Sequence, residues 1–246
     1  MNVVVTGGSG GLGREVVRGL RMRGATAKAA SRRTGVNLAT GEGLESVLAG
    51  AEVIVHAATH PVKYRAVDLE GTRKIIRVLA DRPDLPHLIY SSIVGCDLNP
   101  YPYYRAKYAC ELVLERSGLP VTVVRATQFH TLVATIAKAC AHGPISVQPR
   151  ASFQSCDHRW VAGRLVDAAL GEAPPGYRRT PDLAGPERTT LDEAVNLIRQ
   201  AAGQRPPRVI RLPAVGGTLR AFADGTNLPG PDAEIGGSAF RDSLNL

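Results

Sequence analysis

Val3-Val4-Val5-Thr6-Gly7-Gly8-Ser9-Gly10-Gly11-Leu12-Gly13 carries the strongest structural signal in the chain. A β-branched apolar run passes through a glycine-rich turn straight into a helical pattern, in which Leu12, Val16, Val17 and Leu20 form one apolar stripe. The glycines follow the spacing Gly7-x-x-Gly10-x-x-Gly13. That spacing lets the chain turn tightly at the first glycine, lets backbone approach a phosphate at the second, and seats the helix on the strand at the third. Amides of the first helical turn then face an anion, with the helix dipole in support. An ordinary glycine-rich turn is the alternative. The strand before, the helix after and a second strand beyond favour a dinucleotide-binding β-α-β unit, whose contacts would be Thr6, Gly7, Gly8, Ser9, Gly10, Gly11, Leu12 and Gly13.

Outward from this turn, short β-rich runs alternate with helical patterns. Strands are expected at Asn2 to Thr6, Thr26 to Ala30, Glu52 to His56, His87 to Ser91 and Val121 to Val124, with weaker ones near Ile145 and Val209. A third helix carries Leu69, Ile76 and Leu79. The strands are apolar at successive positions, as expected where helices cover both faces of a parallel sheet. The fold class is therefore α/β, a Rossmann-type doubly wound parallel sheet. After about residue 140 the pattern loosens, with Pro and Gly clusters at Ala173 to Gly176, Pro206 to Pro207 and Gly225 to Gly237. Thr190 and Glu193 form a capping box ahead of Leu191, Ala194, Val195 and Ile198. We expect a nucleotide-binding core over residues 1–140 and a small, interwoven C-terminal region over 141–246 that binds substrate.

Composition narrows the partners. With 246 residues, 44% hydrophobic and 21% charged, the chain fits one globular unit with a sizeable core. The formal charge of +8 is scattered, with no basic run. Seven tyrosines, four phenylalanines and one tryptophan leave little for base stacking, so nucleic acid is not an expected partner. No apolar run is long enough for a membrane span, and Met1 leads directly into a strand, so the expected compartment is the cytoplasm. Cys96, Cys110, Cys140 and Cys156 are widely spaced and read as reduced thiols. Cys156-Asp157-His158 lacks the ligand count and spacing for a metal, and none is expected. Trp160, ahead of Val161, Leu165 and Val166, reads as core.

At the end of the second strand an NAD enzyme usually offers a carboxylate to the ribose. This chain offers Ser31-Arg32-Arg33, whose guanidinium groups suit the 2′-phosphate of NADP, so NADP(H) is expected over NAD(H). Two solvated surface arginines are the alternative.

The Thr-Gly-x-x-Gly-x-x-Gly form of the turn resembles the short-chain dehydrogenase/reductase superfamily. Further likenesses are His56-Ala57-Ala58, Asp68-Leu69-Glu70-Gly71-Thr72, Tyr90-Ser91-Ser92, Arg125-Ala126-Thr127-Gln128-Phe129-His130 and Ala184-Gly185-Pro186-Glu187. Together they resemble the NmrA-like, atypical branch over roughly residues 1–200, most strongly in the first 130. The resemblance implies that His56, Ala57 and Ala58 lie beside the adenosine, that Asn37-Leu38 meets the adenine, and that Ala126 and Gln128 also touch the nucleotide.

Tyr103 and Lys107 stand four apart at the start of a helical run, which puts both on one helix face. The resemblance implies that Lys107 binds the nicotinamide ribose and lowers the Tyr103 phenol pKa, while Tyr103 trades a proton with a carbonyl or alcohol. Ser92 would hydrogen-bond the same oxygen, with Ser91 as the competing assignment. Tyr101, Tyr104 and Tyr108 compete with Tyr103, and all of them could simply pack. Phe129 and His130 could face substrate, although a lone histidine there also suits packing or capping.

The expected function is thus an NADPH-dependent oxidoreductase acting on a small carbonyl or alcohol, as a monomer or homodimer. A non-catalytic NADP(H)-binding regulator is the second reading. A nucleotide-sugar epimerase or dehydratase is disfavoured, since those relatives carry a larger substrate region than the residues remaining here would supply.

Overall fold

The computed structural model describes residues 1–141 and 143–244. Along the chain come β1 (Asn2–Thr6), α1 (Gly11–Met22), β2 (Thr26–Ala30), α2 (Leu44–Leu48), β3 (Val53–His56), α3 (Glu70–Leu79), β4 (His87–Ile93), α4 (Pro102–Glu115) and β5 (Val121–Ala126). There follow α5 (His130–Cys140), β6 (Ile145–Pro149), β7 (Ser152–Phe153), α6 (His158–Leu170), β8 (Tyr177–Arg179), β9 (Leu183–Ala184), β10 (Thr189–Thr190), α7 (Leu191–Ala201), β11 (Arg208–Leu212), α8 (Gly217–Ala223) and β12 (Glu234–Ile235). A 3-10 turn spans Arg32–Thr34 and a π-helical turn spans Arg65–Leu69.

The chain forms two compact units that interleave in sequence. The first comprises residues 1–92, 102–125 and 158–180, and the second the described residues of 93–101, 126–157 and 181–246.

In the first unit the strands lie in the order β2-β1-β3-β4-β5-β8. The pairs β1–β2, β1–β3, β3–β4 and β5–β8 are all parallel. The chain leaves β1 for β2 on one side and returns to β3 on the other. Crossovers of one hand therefore place α1 on one face and α3 and α4 on the opposite face. α1 packs on α6, and α3 packs on α2 and α4. The stripe Leu12, Val16, Val17 and Leu20 is buried as expected. On α3 the buried face is Gly71, Thr72, Ile75 and Leu79, while Leu69 and Ile76 only flank the core. The buried positions Asp68, Thr72, Ile75 and Leu79 follow helical spacing, so the stripe is centred one position away from Leu69 and Ile76.

Burial of the strands on both faces explains their unbroken apolar runs. Val3, Val4, Val5, Val53, Ile54 and Val55 are all buried. One apolar cluster joins Val4, Ile54, Leu88 and Tyr90 of the sheet to Ile75 and Leu79 of α3 and to Cys110 and Leu114 of α4.

In the second unit β9 lies parallel to the end of β5 at Ala126, and β12 lies parallel to β9. β6 and β11 form a parallel pair, and β7 and β10 an antiparallel one. Helices α5 and α7 pack together around Val133, Ala137, Phe153, Leu191, Ala194, Val195 and Phe240. The capping box is present: Thr190 Oγ1 accepts from the Glu193 amide at 3.2 Å, and Glu193 Oε2 accepts from the Thr190 amide at 2.7 Å. Among the described residues no helix is long and apolar enough to cross a membrane.

Two helical glycines should respond oppositely to alanine. A Cβ on Gly13 would lie 2.2 Å from the Gly7 carbonyl oxygen, whereas one on Gly163, inside α6, would meet nothing within 4 Å. Gly163→Ala should raise the unfolding free energy by about 0.5–1 kcal/mol through helix propensity, and Gly13→Ala should lower it by about 2 kcal/mol or more. Urea titrations of the two variants check both signs.

Candidate functional site

The C-terminal ends of β1 to β4 gather most of the residues singled out from the sequence. At the end of β1, Gly7 adopts φ +71°, a left-handed conformation open to glycine. A Cβ there would stand 2.7 Å from Ala58 Cα, so the turn rests directly on the backbone after β3. The Gly10 amide donates to the Gly7 carbonyl at 2.8 Å and closes the turn. α1 then begins with Gly10 at its N-cap, without a side-chain cap and without an acidic residue in its first turn. The first-turn amides of Gly11, Leu12 and Gly13 have no carbonyl partner within the helix, which leaves donors for an anion.

The end of β2 is tied to this turn. Ser31 Oγ and Ser9 Oγ are hydrogen-bonded at 2.7 Å, and the 3-10 turn that follows carries Arg32 and Arg33, both exposed. No carboxylate stands between Ala30 and Val36. Asn37 and Leu38 are used within the protein: Asn37 Oδ1 accepts from the Ala39 amide at 3.1 Å, and Leu38 is buried in the core.

His56 is wholly buried and uses both ring nitrogens. The Thr72 hydroxyl gives its one hydrogen to the Asp68 carbonyl at 2.7 Å, so it accepts from His56 Nε2–H at 3.0 Å. Nδ1 therefore accepts from the Thr6 hydroxyl at 2.6 Å. Burial, and secondarily the charge of Lys107, lowers the His56 pKa to about 3. It is a neutral strut holding β1, β3 and α3 in place, and the backbone of Ala57 and Ala58 beyond it packs against Gly7.

The ionisable groups meet where β4, α4 and the segment after β3 converge. Lys107, 3% exposed, donates from Nζ to the Ser91 carbonyl at 2.7 Å, lies 3.8 Å from Asp68 Oδ1 and stands 4.3 Å from the centre of the Tyr90 ring. Tyr103 shares a hydrogen bond with Thr59 Oγ1 at 2.8 Å, and Thr59 donates to Asp68 Oδ1 at 2.6 Å. Burial pushes the Tyr103 phenol above its ordinary value, outweighing the lowering effects of Lys107 and Thr59. The resemblance implies a lowered phenol pKa; desolvation reverses it here, and Tyr103 is a protonated phenol at neutral pH. Asp68 too is raised, by burial, against the opposing charge of Lys107. Of the competing tyrosines, Tyr104 is buried, Tyr108 half-buried and Tyr101 exposed, with Tyr101 ring-packed on Phe222 in the second unit.

Ser92 is placed otherwise than its expected role requires. Its hydroxyl donates to Glu111 Oε1, and Glu111 is clasped by Arg125 through bonds at 2.9 and 2.7 Å, all three residues being buried. Ser91 is half-buried, and its hydroxyl is left without a hydrogen bond among the described residues. Thr59 belongs to the site although no motif marks it; its place just beyond β3, after Ala57-Ala58, is the one signal the sequence carries for it.

Ala126 and Gln128 belong to the second unit. Ala126 pairs with Leu183, and Gln128 exchanges hydrogen bonds with Asn227 at 3.3 and 3.2 Å. His130 bonds Ser155 Oγ at 2.8 Å and the Ser238 carbonyl at 3.1 Å, so it serves packing there. Cysteines 96, 110, 140 and 156 are free, and burial pushes the Cys156 thiol up to about 12. Among the described residues no group of three or more His, Cys, Asp or Glu side chains could hold a metal.

No protein-family model matches the chain, and no curated protein matches its sequence. Solved structures do match in shape. An NADPH-dependent quinone oxidoreductase from Escherichia coli, solved with NADPH, superposes with a TM-score of 0.76 at 14% identity, over 99% of this chain and 98% of that one. The UDP-glucose 4-epimerase of Thermus thermophilus, solved with NAD, gives 0.67 at 18% identity over 92% and 99%. The enzyme WbmH of Bordetella bronchiseptica, with NAD+, gives 0.71 at 14% over 99% and 95%. At these identities the likeness shows the fold, which is the Rossmann-like α/β architecture. The alignment to the epimerase spans nearly all of both chains, so the expected size difference does not separate the two classes.

The buried groups set both the acid response and the cost of breaking the clamp. His56, held to about 3, and His87, held to about 4, are neutral in the folded chain but take up protons near 6.5 when unfolded. Stability is therefore fully present above about pH 6.5 and falls as pH drops toward the folded values. His56→Asn should flatten that fall between about pH 7 and about pH 5, as read by urea titration at each pH. Separately, Glu111→Leu strands the buried Arg125 and should cost about 3–5 kcal/mol, whereas Ser92→Ala should cost only about 1 kcal/mol.

Proposed function

We propose that this chain is an NADPH-dependent oxidoreductase of the atypical short-chain dehydrogenase/reductase type, acting on a small carbonyl or alcohol. One observation carries the reading: the uncapped first turn of α1 and the exposed Arg32-Arg33 pair are joined by the Ser9–Ser31 hydrogen bond. Both stand at the carboxyl ends of β1 and β2, beside the point where strand order reverses between β1 and β3.

The residues fit a dinucleotide phosphate by phosphate. A diphosphate suits open amides with no competing carboxylate. Arg32 and Arg33 suit a further phosphate on the adenosine ribose, and a carboxylate that would repel it is missing from the end of β2. Hence NADP(H) is preferred over NAD(H). When bound, the nicotinamide supplies or accepts a hydride.

The chain's own groups handle the proton. Tyr103, kept as a phenol by burial, gives its proton to the substrate oxygen. Lys107, fixed by the Ser91 carbonyl, presents its ammonium beside that phenol and to the ribose hydroxyls. Because Ser92 is committed to Glu111, the serine role passes to Ser91.

A non-catalytic NADP(H)-binding regulator, acting in the cytoplasm as a monomer or homodimer, is the second reading. It is favoured by the Tyr103 hydroxyl already being bonded to Thr59.

Calorimetry should show NADPH binding that weakens at least about tenfold in Arg32→Ala/Arg33→Ala, with NADH affected much less. Equal weakening would refute the 2′-phosphate assignment. Tyr103→Phe should abolish NADPH oxidation on a panel of small carbonyls while leaving NADPH affinity unchanged, and Ser91→Ala should slow it more than Ser92→Ala. Binding without oxidation by the unmodified chain would favour the regulator.

A further inference from the structure

Asp68 is fully buried on the π-helical turn before α3, yet it faces a half-buried tyrosine through a single hydroxyl. The chain Tyr103 OH, Thr59 Oγ1, Asp68 Oδ1 runs through hydrogen bonds of 2.8 and 2.6 Å, and the ammonium of Lys107 lies 3.8 Å from the same carboxyl oxygen. The other carboxyl oxygen accepts the His60 amide at 3.1 Å, so the carboxyl is held from both sides. Thr59 is exposed, which opens the middle of the chain to solvent.

We propose that Thr59 and Asp68 form the path that reloads Tyr103, the Thr59 hydroxyl passing a proton from the Asp68 carboxyl to the phenolate formed at each reduction. This rests on the oxidoreductase reading above. As the substrate oxygen takes the phenol proton, the Tyr103 O–H bond breaks and the substrate O–H bond forms; a bound nicotinamide would supply the hydride for the carbonyl carbon. The Thr59 O–H bond then breaks as the Tyr103 O–H bond reforms, and the Asp68 O–H bond breaks as that of Thr59 reforms. Asp68 is left as a carboxylate opposite Lys107, and after product leaves, water returns a proton to it through the exposed Thr59 hydroxyl. In the oxidative direction each transfer reverses. Thr59 and Asp68 act through Tyr103 and are positioning residues in that sense.

Burial holds the Asp68 carboxyl above its ordinary pKa, so it can carry a proton at a pH where an exposed aspartate would not. Lys107 opposes this and stabilises the carboxylate once the proton has gone. The other titratable groups facing the pair are Cys110 and Tyr104 from α4, Tyr90 from β4, His60 from the segment after β3 and Tyr64, whose ring packs edge-on to that of Tyr103.

Two measurements test the path. In the protein without nucleotide, the tyrosinate absorbance of the parent chain minus that of Tyr103→Phe gives the Tyr103 titration. Thr59 lowers that phenol pKa through its hydrogen bond and Asp68 raises it through its charge. Thr59→Val should therefore shift the midpoint up, Thr59→Ser should restore it, and Asp68→Asn should shift it down. In turnover, Thr59→Val should lower kcat at least about tenfold with KM and NADPH affinity unchanged, with rescue by Thr59→Ser. Asp68→Asn, which keeps the side-chain shape but cannot carry the proton, should lower kcat as well. An unmoved Tyr103 midpoint, or full turnover in Thr59→Val or Asp68→Asn, overturns the path and leaves the oxidoreductase reading standing. Failure of the oxidoreductase reading is seen separately, as the absence of calorimetric heat with NADPH or of turnover in the parent chain, and it overturns the path with it.

Discussion

Gly7 and the backbone of Ala57-Ala58 approach more closely than any side chain on the turn would allow: an added Cβ would lie 2.7 Å from Ala58 Cα. This contact closes the end of β1 against the end of β3, just past the parallel register Val3↔Val53 through Thr6↔His56. Thr6 is then within 2.6 Å of His56, which reaches across to Thr72 on α3. Thr59, two residues past Ala57, is delivered to Tyr103 and Asp68 by the same docking. One missing Cβ thus lets the glycine-rich turn rest on the segment that carries Thr59.

Buried charge organises the other side of the first unit. Lys107 and Glu111 stand one helical turn apart on α4, each almost wholly buried and each facing an ionisable partner, Asp68 and Arg125 respectively. Removing such charges from water costs several kcal/mol per ion, recovered only where geometry and extra hydrogen bonds are good. The Glu111–Arg125 pair meets that condition through a two-pronged contact and the added hydroxyl of Ser92. The Lys107–Asp68 pair is looser at 3.8 Å, and Asp68 is correspondingly raised. The tight pair is a structural clamp, whereas the loose pair leaves Asp68 bonded to Thr59 and the His60 amide as well.

This division also explains the two adjacent serines. Ser92 completes the clamp through its side chain, while Ser91 fixes Lys107 through its backbone carbonyl and keeps its hydroxyl. Spacing along the chain assigns both to the end of one strand, and nothing in that spacing says which faces Glu111.

The β-α-β entry, the glycine-rich turn, the arginines at the end of β2 and the shared helix face of Tyr103 and Lys107 are legible in the residues alone, because each depends on local backbone geometry or short-range periodicity. So is the capping box of α7, a contact three residues long. That His56 is a strut, that Leu38 is core, that Ser92 belongs to a clamp and that Thr59 bridges Tyr103 to Asp68 emerges only from the folded chain. The same holds for the division of the described residues of 141–246, with 158–180 in the first unit. Each of these depends on partners brought together across many residues, and on how far burial strips water from a charge, and neither quantity is written in local spacing.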